Sequence, residues 1–482
     1  MEETDLIKNL KEWFNFDRFR AGQKESIETI LNGENTLAIL PTGTGKSLIY
    51  EYCGYVTEGL VLIVSPLLSL MDNQVLQLNQ AGEKRAAALN SMLNLEERRL
   101  IEKRLDYYKF LFVSPEMLQS KWLVQRLSRL KIALFVVDEA HCISQWGLDF
   151  RPDYLYLGKI REELNNPLTL ALTATAPQEV IDDILKTLNL DPTDTAVYQS
   201  NPNRENIYYD FREIEDNDKD TELLQLINDF PNPGIIYFSS KVKAERICQL
   251  LRENTEQAVD TYHADRSIED RKIIQRQFLN GELDIICATT AFGMGINKKN
   301  IRFIIHYHIP NSIEEYLQET GRAGRDGLQS IAVLLYSKSD AVFKFKKMKE
   351  TQLNDNIITM NDKNESLEPW GLSDSDLAML QVIKARHLSK EQAKSLINQR
   401  LEKRISKFVA MGQLATQNRC KREMMSIYFN QKNDPVQIWC CSFCQSDIQS
   451  LVEEMQLISQ PKKIQINYEK KWDQVIKELF IL

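Results

Sequence analysis

Two series of short, almost uninterrupted apolar runs constrain this chain more than any other feature. The first comprises NTLAIL before Pro41, then LVLIVSP, FLFVSP, ALFVVDEA and LTLALTATA. The second comprises GIIYFSS, AVDTYHA, LDIICATT, IRFIIHYHIP and SIAVLLYS. Longer helical patterns separate the runs. A strand buried on both faces cannot alternate polar and apolar residues, so runs of this kind suit a parallel sheet covered by helices on either side. Two series predict two α/β lobes, over residues 1–205 and 206–340. The polar stretch YQSNPNRENIYYDFREIEDNDKD between them reads as the hinge. Beyond about residue 340 helices and charges replace apolar strands, which predicts a mostly helical module over 341–450 and a tail over 451–482.

A chain of 482 residues is long enough for two or three cores. No run approaches the ~20 apolar residues of a membrane helix. The start, MEETDLIKNLKEWF, lacks the basic-then-apolar order of a signal peptide. The expectation is a cytoplasmic protein with no membrane partner. A net charge of −8 argues against blanket nucleic-acid binding, but a basic track can sit on an acidic body.

The segment LPTGTGKSL follows the first strand and precedes a helix. Gly43 and Gly45 let the backbone curl so that its N–H groups face an anion, with Thr42 and Thr44 between and before them. Lys46 would reach the β- and γ-phosphates of ATP, and Ser47 would offer a hydroxyl to Mg²⁺. Leucine replaces the first glycine of the usual pattern, at position 40; the alternative is a glycine turn with a chance lysine. Further on, DEAHCISQWGLDFRP joins an acidic box to an aromatic segment. Asp138 just after a buried strand fits Mg²⁺ coordination, and Glu139 fits activation of the attacking water. In YLQETGRAGRDG, Gln318, Arg322 and Arg325 lie in a helix-turn setting, and transition-state charge on a phosphoryl group calls for arginines supplied across a cleft. Arginines on a helix face are otherwise often only solvated.

With these motifs in order, the chain resembles the RecQ family of DNA helicases, a branch of helicase superfamily 2, over about residues 8–345 and again over 400–445. FNFDRFRAGQ resembles the family's adenine-reading motif, which implies base contacts by Arg20 and Gln23. SPLLSLMDNQV, SPEML, ALTATA (with Thr173 and Thr175) and ATTAFGMGINK resemble further helicase motifs. The resemblance implies two tandem RecA-like parallel-sheet domains followed by a helical zinc-binding module. It also implies that the segment after the acidic box senses single-stranded DNA and couples it to hydrolysis. Gln145, Trp146, Phe150 and Arg151 would then meet bases and phosphates. His141 would bridge the nucleotide site and the other lobe; an ordinary aromatic core patch is the alternative. The implied activity is ATP-dependent, 3′-to-5′ unwinding of single-stranded and forked DNA in recombination and repair, with nucleoid association in a bacterial source. The rivals are a DNA-stimulated translocase that unwinds weakly and a DNA-binding scaffold with a relic ATP site. RNA is disfavoured by His141.

Cys420 and WCCSFC give the spacing C-x19-C-C-x2-C. Four thiolates around Zn²⁺ would make a closed structural site. Adjacent cysteines both bind only if the backbone kinks between them. The family also contains the C-C-x2-C arrangement, so the expected ligands are Cys420, Cys440, Cys441 and Cys444, with Asp447 as a stand-in for Cys440. Cys420 reads as part of a helix, NRCKREMMSIYF.

The sequence also departs from the family. Only 38 residues follow Cys444, whereas the winged-helix domain common in RecQ proteins needs roughly 100, so that domain is expected to be absent. A helical insertion precedes Cys420, with capping boxes expected at Ser373/Asp376 and Ser389/Gln392. Lys403, Arg404, Lys407, Arg419, Lys421 and Arg422 make DNA contact an alternative to its packing on the second lobe. In the tail, Trp472, Val475, Ile476, Leu479 and Phe480 form one helical stripe, read as intramolecular docking or, alternatively, a partner-protein contact. Asp265 in YHADRS stands where the family usually has glycine.

Overall fold

Val61, Leu62, Ile63 and Val64 expose no side-chain surface, as expected of a central strand covered on both faces. The computed structural model describes residues 3–144, 151–290, 292, 298–350, 353, 355–362, 372, 374–432, 439–445 and 447–459. The expectations for Gln145, Trp146, Phe150, Ser373 and the stripe from Trp472 to Phe480 lie outside these residues. In the first lobe, β1 (Asn35–Ile39), β2 (Leu60–Val64), β3 (Ala86–Leu89), β4 (Phe110–Val113), β5 (Ile132–Val137), β6 (Thr169–Thr173) and β7 (Thr195–Gln199) form one parallel sheet, in the order β3-β4-β2-β5-β6-β1-β7. In the second, β8 (Ile207–Glu213), β9 (Gly234–Tyr237), β10 (Val259–Tyr262), β11 (Ile285–Ala288), β12 (Phe303–His306) and β13 (Ser330–Tyr336) are ordered β10-β11-β9-β12-β13-β8, again parallel. Each sheet has an apolar cluster on either face. Two parallel-sheet, RecA-like lobes are therefore present. Among the described residues no helix is long and apolar enough to cross a membrane.

The stretch read as a polar hinge is only partly connection. It contains the end of β7 and all of β8, and only residues 200–206 connect the two. Charges at Asp210, Arg212 and Glu213 made β8 look exposed. Asp210 is in fact buried and pairs with Arg212 at 2.7 Å, and Arg212 also reaches Glu222. β3 was also illegible: its alanines favour helix, but its place beside β4 overrides that preference.

β8 lies at the end of its sheet, and the cysteine loop lies along its free side. The Tyr209 N–H donates to Cys440 O at 3.4 Å, and the Ser442 N–H donates to Tyr209 O at 2.9 Å. The Tyr208 hydroxyl donates to Gln445 O.

The insertion forms a small helical unit from Asp355–Asp362, Asp374–Ala385 and the first half of Lys390–Thr416, closed around Leu353, Ile357, Met379, Leu380 and Ile397. The expected Ser389/Gln392 capping box opens the long helix. Packing on the second lobe alone is corrected, because the unit touches both lobes. Ala378 and Val382 meet Leu155 of the first lobe, and Lys403 pairs with Glu179. Lys407 pairs with Glu314 of the second lobe at 3.0 Å. The proposed basic DNA surface is mostly spent internally. Arg419 faces Glu423, and Lys421 caps the long helix by donating to Leu414 O, Ala415 O and Gln417 O. Arg422, fully buried, also donates to carbonyls.

Candidate active site

β1 runs into the loop Leu40–Lys46, and the helix Ser47–Val56 starts directly after it, so its N-terminal N–H groups face the loop. Gly43 and Gly45 have φ of 88° and 81°, a region that disfavours side chains. The space is tight as well. A Cβ at Gly43 would come within 2.9 Å of Arg325 Cγ, and one at Gly45 within 3.1 Å of Gln23 Nε2. The Thr44 hydroxyl donates to Pro41 O, and Lys46 Nζ donates to Leu40 O at 3.3 Å. Gln23 and Arg20, expected at adenine, hold the loop here. Gln23 Nε2 donates to Thr44 O and Gly45 O, its Oε1 accepts from the Arg20 N–H, and Arg20 Nη1 donates to Gly43 O. Reading a base would require these bonds to exchange.

At the end of β5, Asp138 and Glu139 enter the same cleft. Burial, with the adjacent Glu139 adding and Lys46 opposing, holds the Asp138 carboxyl above the usual carboxylate range. A bound divalent cation would reverse that. Glu139 adopts a left-handed backbone, φ 47°, a costly conformation for this residue type. Its buried Oε2 makes no hydrogen bond and lies 3.3 Å from His141 Nδ1, as suits an atom meant for a water or an ion's hydration shell. His141 Nδ1 lies 2.9 Å from Thr173 Oγ1, and the Thr173 hydroxyl reaches Thr175 O at 3.4 Å. His141 thus joins the acidic box to the end of β6 within the first lobe. Arg151 closes onto Cys142 O through its N–H and faces Glu116 at 3.8 Å.

The opposite wall comes from the second lobe. Gln318 lies in the last turn of the helix Ile313–Thr320, and Arg322 and Arg325 occupy the glycine-rich turn after it. Arg302 Nη2 donates to both carboxylate oxygens of Asp326, at 2.6 and 2.7 Å, and ties down that turn. Lys46, Ser47, Asp138, Glu139, Gln318, Arg322 and Arg325 line one cleft of about 980 Å³. Burial, followed by Arg322 and Arg204, pushes the Arg325 guanidinium down to about 9. A cluster of cations in one wall favours an anion between the walls.

Three residues of this site escaped the sequence reading. The Tyr154 hydroxyl donates to Asp138 O at 3.0 Å. Glu51, pushed up to about 7 by burial, takes the Ser47 hydroxyl. Arg204, between the lobes, reaches both walls. The only local signal at Arg204 was a cation flanked by asparagines in a polar connection.

The cysteine set converges. The Sγ atoms of Cys420, Cys440, Cys441 and Cys444 all lie within 4.8 Å of one another. Cys420–Cys440 is 3.6 Å and Cys441–Cys444 is 3.7 Å. A tetrahedron with zinc–sulfur bonds of about 2.3 Å requires sulfurs about 3.8 Å apart, so the donors fit. Asp447 is spent elsewhere, accepting from Ser450 at the start of the helix Ile448–Ser459. Cys420 caps the helix Lys421–Tyr428 and does not sit within it.

Residues 20–184 match the DEAD/DEAH box helicase family, and residues 218–327 match the helicase conserved C-terminal domain. The chain is 40% identical over 469 residues to the probable ATP-dependent DNA helicase RecS of Bacillus subtilis (strain 168), covering 94% of each. It is 42% identical over 336 residues to the ATP-dependent DNA helicase RecQ of the same organism, covering 69% of this chain and 56% of that protein. It is 41% identical over 344 residues to RecQ of Haemophilus influenzae, covering 70% and 54%. It thus spans about half the length of these RecQ relatives. Among solved structures, the DUF1998 helicase MrfA bound to DNA superposes with a TM-score of 0.59 at 17% identity, covering 75% of this chain and 57% of that one. The DEAD-box helicase Mss116 bound to single-stranded RNA gives 0.56 at 15%, covering 85% and 90%. Likeness at that identity speaks for the fold alone. Identity to RecS along nearly the whole of both chains goes further: the chain belongs to the RecQ/RecS family of superfamily 2 helicases.

Proposed function

We propose that this protein is an ATP-dependent DNA helicase that moves 3′ to 5′ on single-stranded DNA and unwinds forked duplexes in recombination and repair, working in the cytoplasm. One observation carries the reading: a single cleft faces a glycine loop and two carboxylates of one lobe toward a glutamine and two arginines of the other. The loop from Thr42 to Ser47 cradles the triphosphate through backbone N–H groups, and Lys46 swings from Leu40 O onto it. Ser47 and Asp138 would hold Mg²⁺, which when bound would supply positive charge against the phosphates. Glu139 accepts a proton from the attacking water, with His141 and Thr173 fixing its surroundings. Gln318, Arg322 and Arg325 stabilise charge on the transferred group, and they do so only when the lobes are closed. Cys420, Cys440, Cys441 and Cys444 would hold Zn²⁺ with all four thiolates, and its part would then be structural.

The test is ATP hydrolysis with and without single-stranded DNA, beside unwinding of a forked duplex and of an RNA duplex. Wild type should be stimulated by DNA and unwind the fork, Lys46→Ala should hydrolyse nothing, and Trp146→Ala should keep only the basal rate. Stimulation without unwinding would make the protein a translocase. Equal use of RNA, or no turnover, would sink the reading.

A further inference from the structure

Arg204 carries out none of the chemistry given to Lys46, Glu139, Arg322 and Arg325, yet it touches both walls of their cleft. Its Nη1 donates to Thr42 O at 3.1 Å and to Gly321 O at 3.3 Å. Its Nη2 donates to Gly324 O at 2.5 Å and to Asn206 Oδ1 at 3.2 Å. Thr42 opens the phosphate loop, and Gly321 and Gly324 bracket Arg322 and lead into Arg325. One guanidinium therefore joins the loop that would hold the triphosphate to the turn that would meet its transition state.

The chemistry of the contact is specific. A rigid planar fork can serve three carbonyls from two walls at once, whereas an ammonium is a point charge on a flexible stem. All four acceptors are neutral, so these bonds do not cancel the charge beside the loop. There is little slack, because a Cβ at Gly43 would lie 3.2 Å from Arg204 Nη1 and 2.9 Å from Arg325 Cγ. The backbone carrying Arg204 is itself held. Arg422 donates to Arg204 O at 2.9 Å, to Glu205 O at 3.3 Å and to Ile207 O, and lies over the Tyr209 ring at 4.8 Å.

We propose that Arg204 is a positioning residue for ATP hydrolysis, setting the glycine-rich turn against the phosphate loop so that Arg322 and Arg325 meet the transferred phosphoryl group. This rests on the ATP-hydrolase reading of the cleft. Ground-state binding draws on the loop's own N–H groups and Lys46, so losing Arg204 should spare it. Alignment of groups in the transition state is what should fail, and a displacement near 1 Å costs about 100-fold.

The experiment compares full-length wild type, Arg204→Ala and Arg204→Lys at saturating single-stranded DNA. It reads kcat and KM for ATP, binding of a fluorescent non-hydrolysable ATP analogue, and thermal melting. Expected for Arg204→Ala is a kcat about 100-fold lower, with KM within about 3-fold and analogue binding and melting unchanged. Arg204→Lys should recover only part of kcat, because charge returns without the fork. Unchanged kcat in both variants overturns the proposal. So does a raised KM at unchanged kcat, which would make Arg204 a ground-state phosphate ligand, or a kcat loss that follows a fall in melting temperature. Wild type without ATP turnover would remove the functional reading as well; a wild type that hydrolyses ATP beside an unaltered Arg204→Ala removes this proposal alone.

Discussion

Glu315 shows what a single buried carboxyl does to this fold. Burial, with Glu319 adding and Lys344 opposing, pushes it up to about 7, and one oxygen accepts the Asn311 N–H at 2.8 Å. A folded-state value above the unfolded one means ionisation works against folding, so stability present at acid pH is lost as pH rises from the unfolded value through about 7. Glu315→Gln keeps an acceptor and removes the charge. Its stabilising effect, read by denaturant unfolding, should grow by about 2 kcal/mol between pH 5 and pH 8; a gain independent of pH would contradict this account. At this scale legibility followed chain distance. Lys46, Ser47, Asp138 and Glu139 could be read because their meaning lies in adjacent residues and in the strand before them. Arg204 could not, because it meets Thr42 across 162 positions. The left-handed backbone of Glu139 is a further fact that no residue type announces.

Among elements, nearly continuous apolar strands such as β2 and β13 were plain in the sequence, since burial on both faces leaves no room for polar residues. β8 was hidden because its charges pair with one another, and β3 because its composition favours helix. The inserted helices were visible as helices, but their contact with the first lobe was not. Val382 and Ala378 pack on Leu155, in the 3₁₀ turn Pro152–Tyr156 that also carries Tyr154 to the carbonyl of Asp138. This contact links the insertion to the acidic box through two adjacent residues. Truncation by Val382→Ala should cost about 1–2 kcal/mol. It should also loosen the turn, raising hydrogen exchange at the Tyr154 amide, which bonds to Arg151 O. Unchanged protection there would show that the insertion rests on the turn without holding it.

For the whole molecule, the count and type of lobes were legible, but their mutual placement was not. It is decided by scattered contacts across the cleft and through the cysteine module: Asn201 Nδ2 to Lys432 O at 2.9 Å, Asn203 Nδ2 to Ser426 Oγ at 2.7 Å, and Lys403 to Glu179. None of these leaves a local pattern. The cysteine loop along β8 has another consequence, for colloidal behaviour. A terminal strand offers a ladder of unused backbone groups to any passing chain, and IYYDFRE is aromatic and strand-forming. The cysteine loop occupies that ladder at Tyr209. Stripping metal from the thiols with a chelator should therefore produce light scattering that rises with protein concentration, and Phe211→Lys should suppress it. A stripped protein that stays monomeric would show that the loop keeps its place without metal. If scattering appears, the cysteines guard solubility as well as shape, and the metal they hold would keep this protein from self-association.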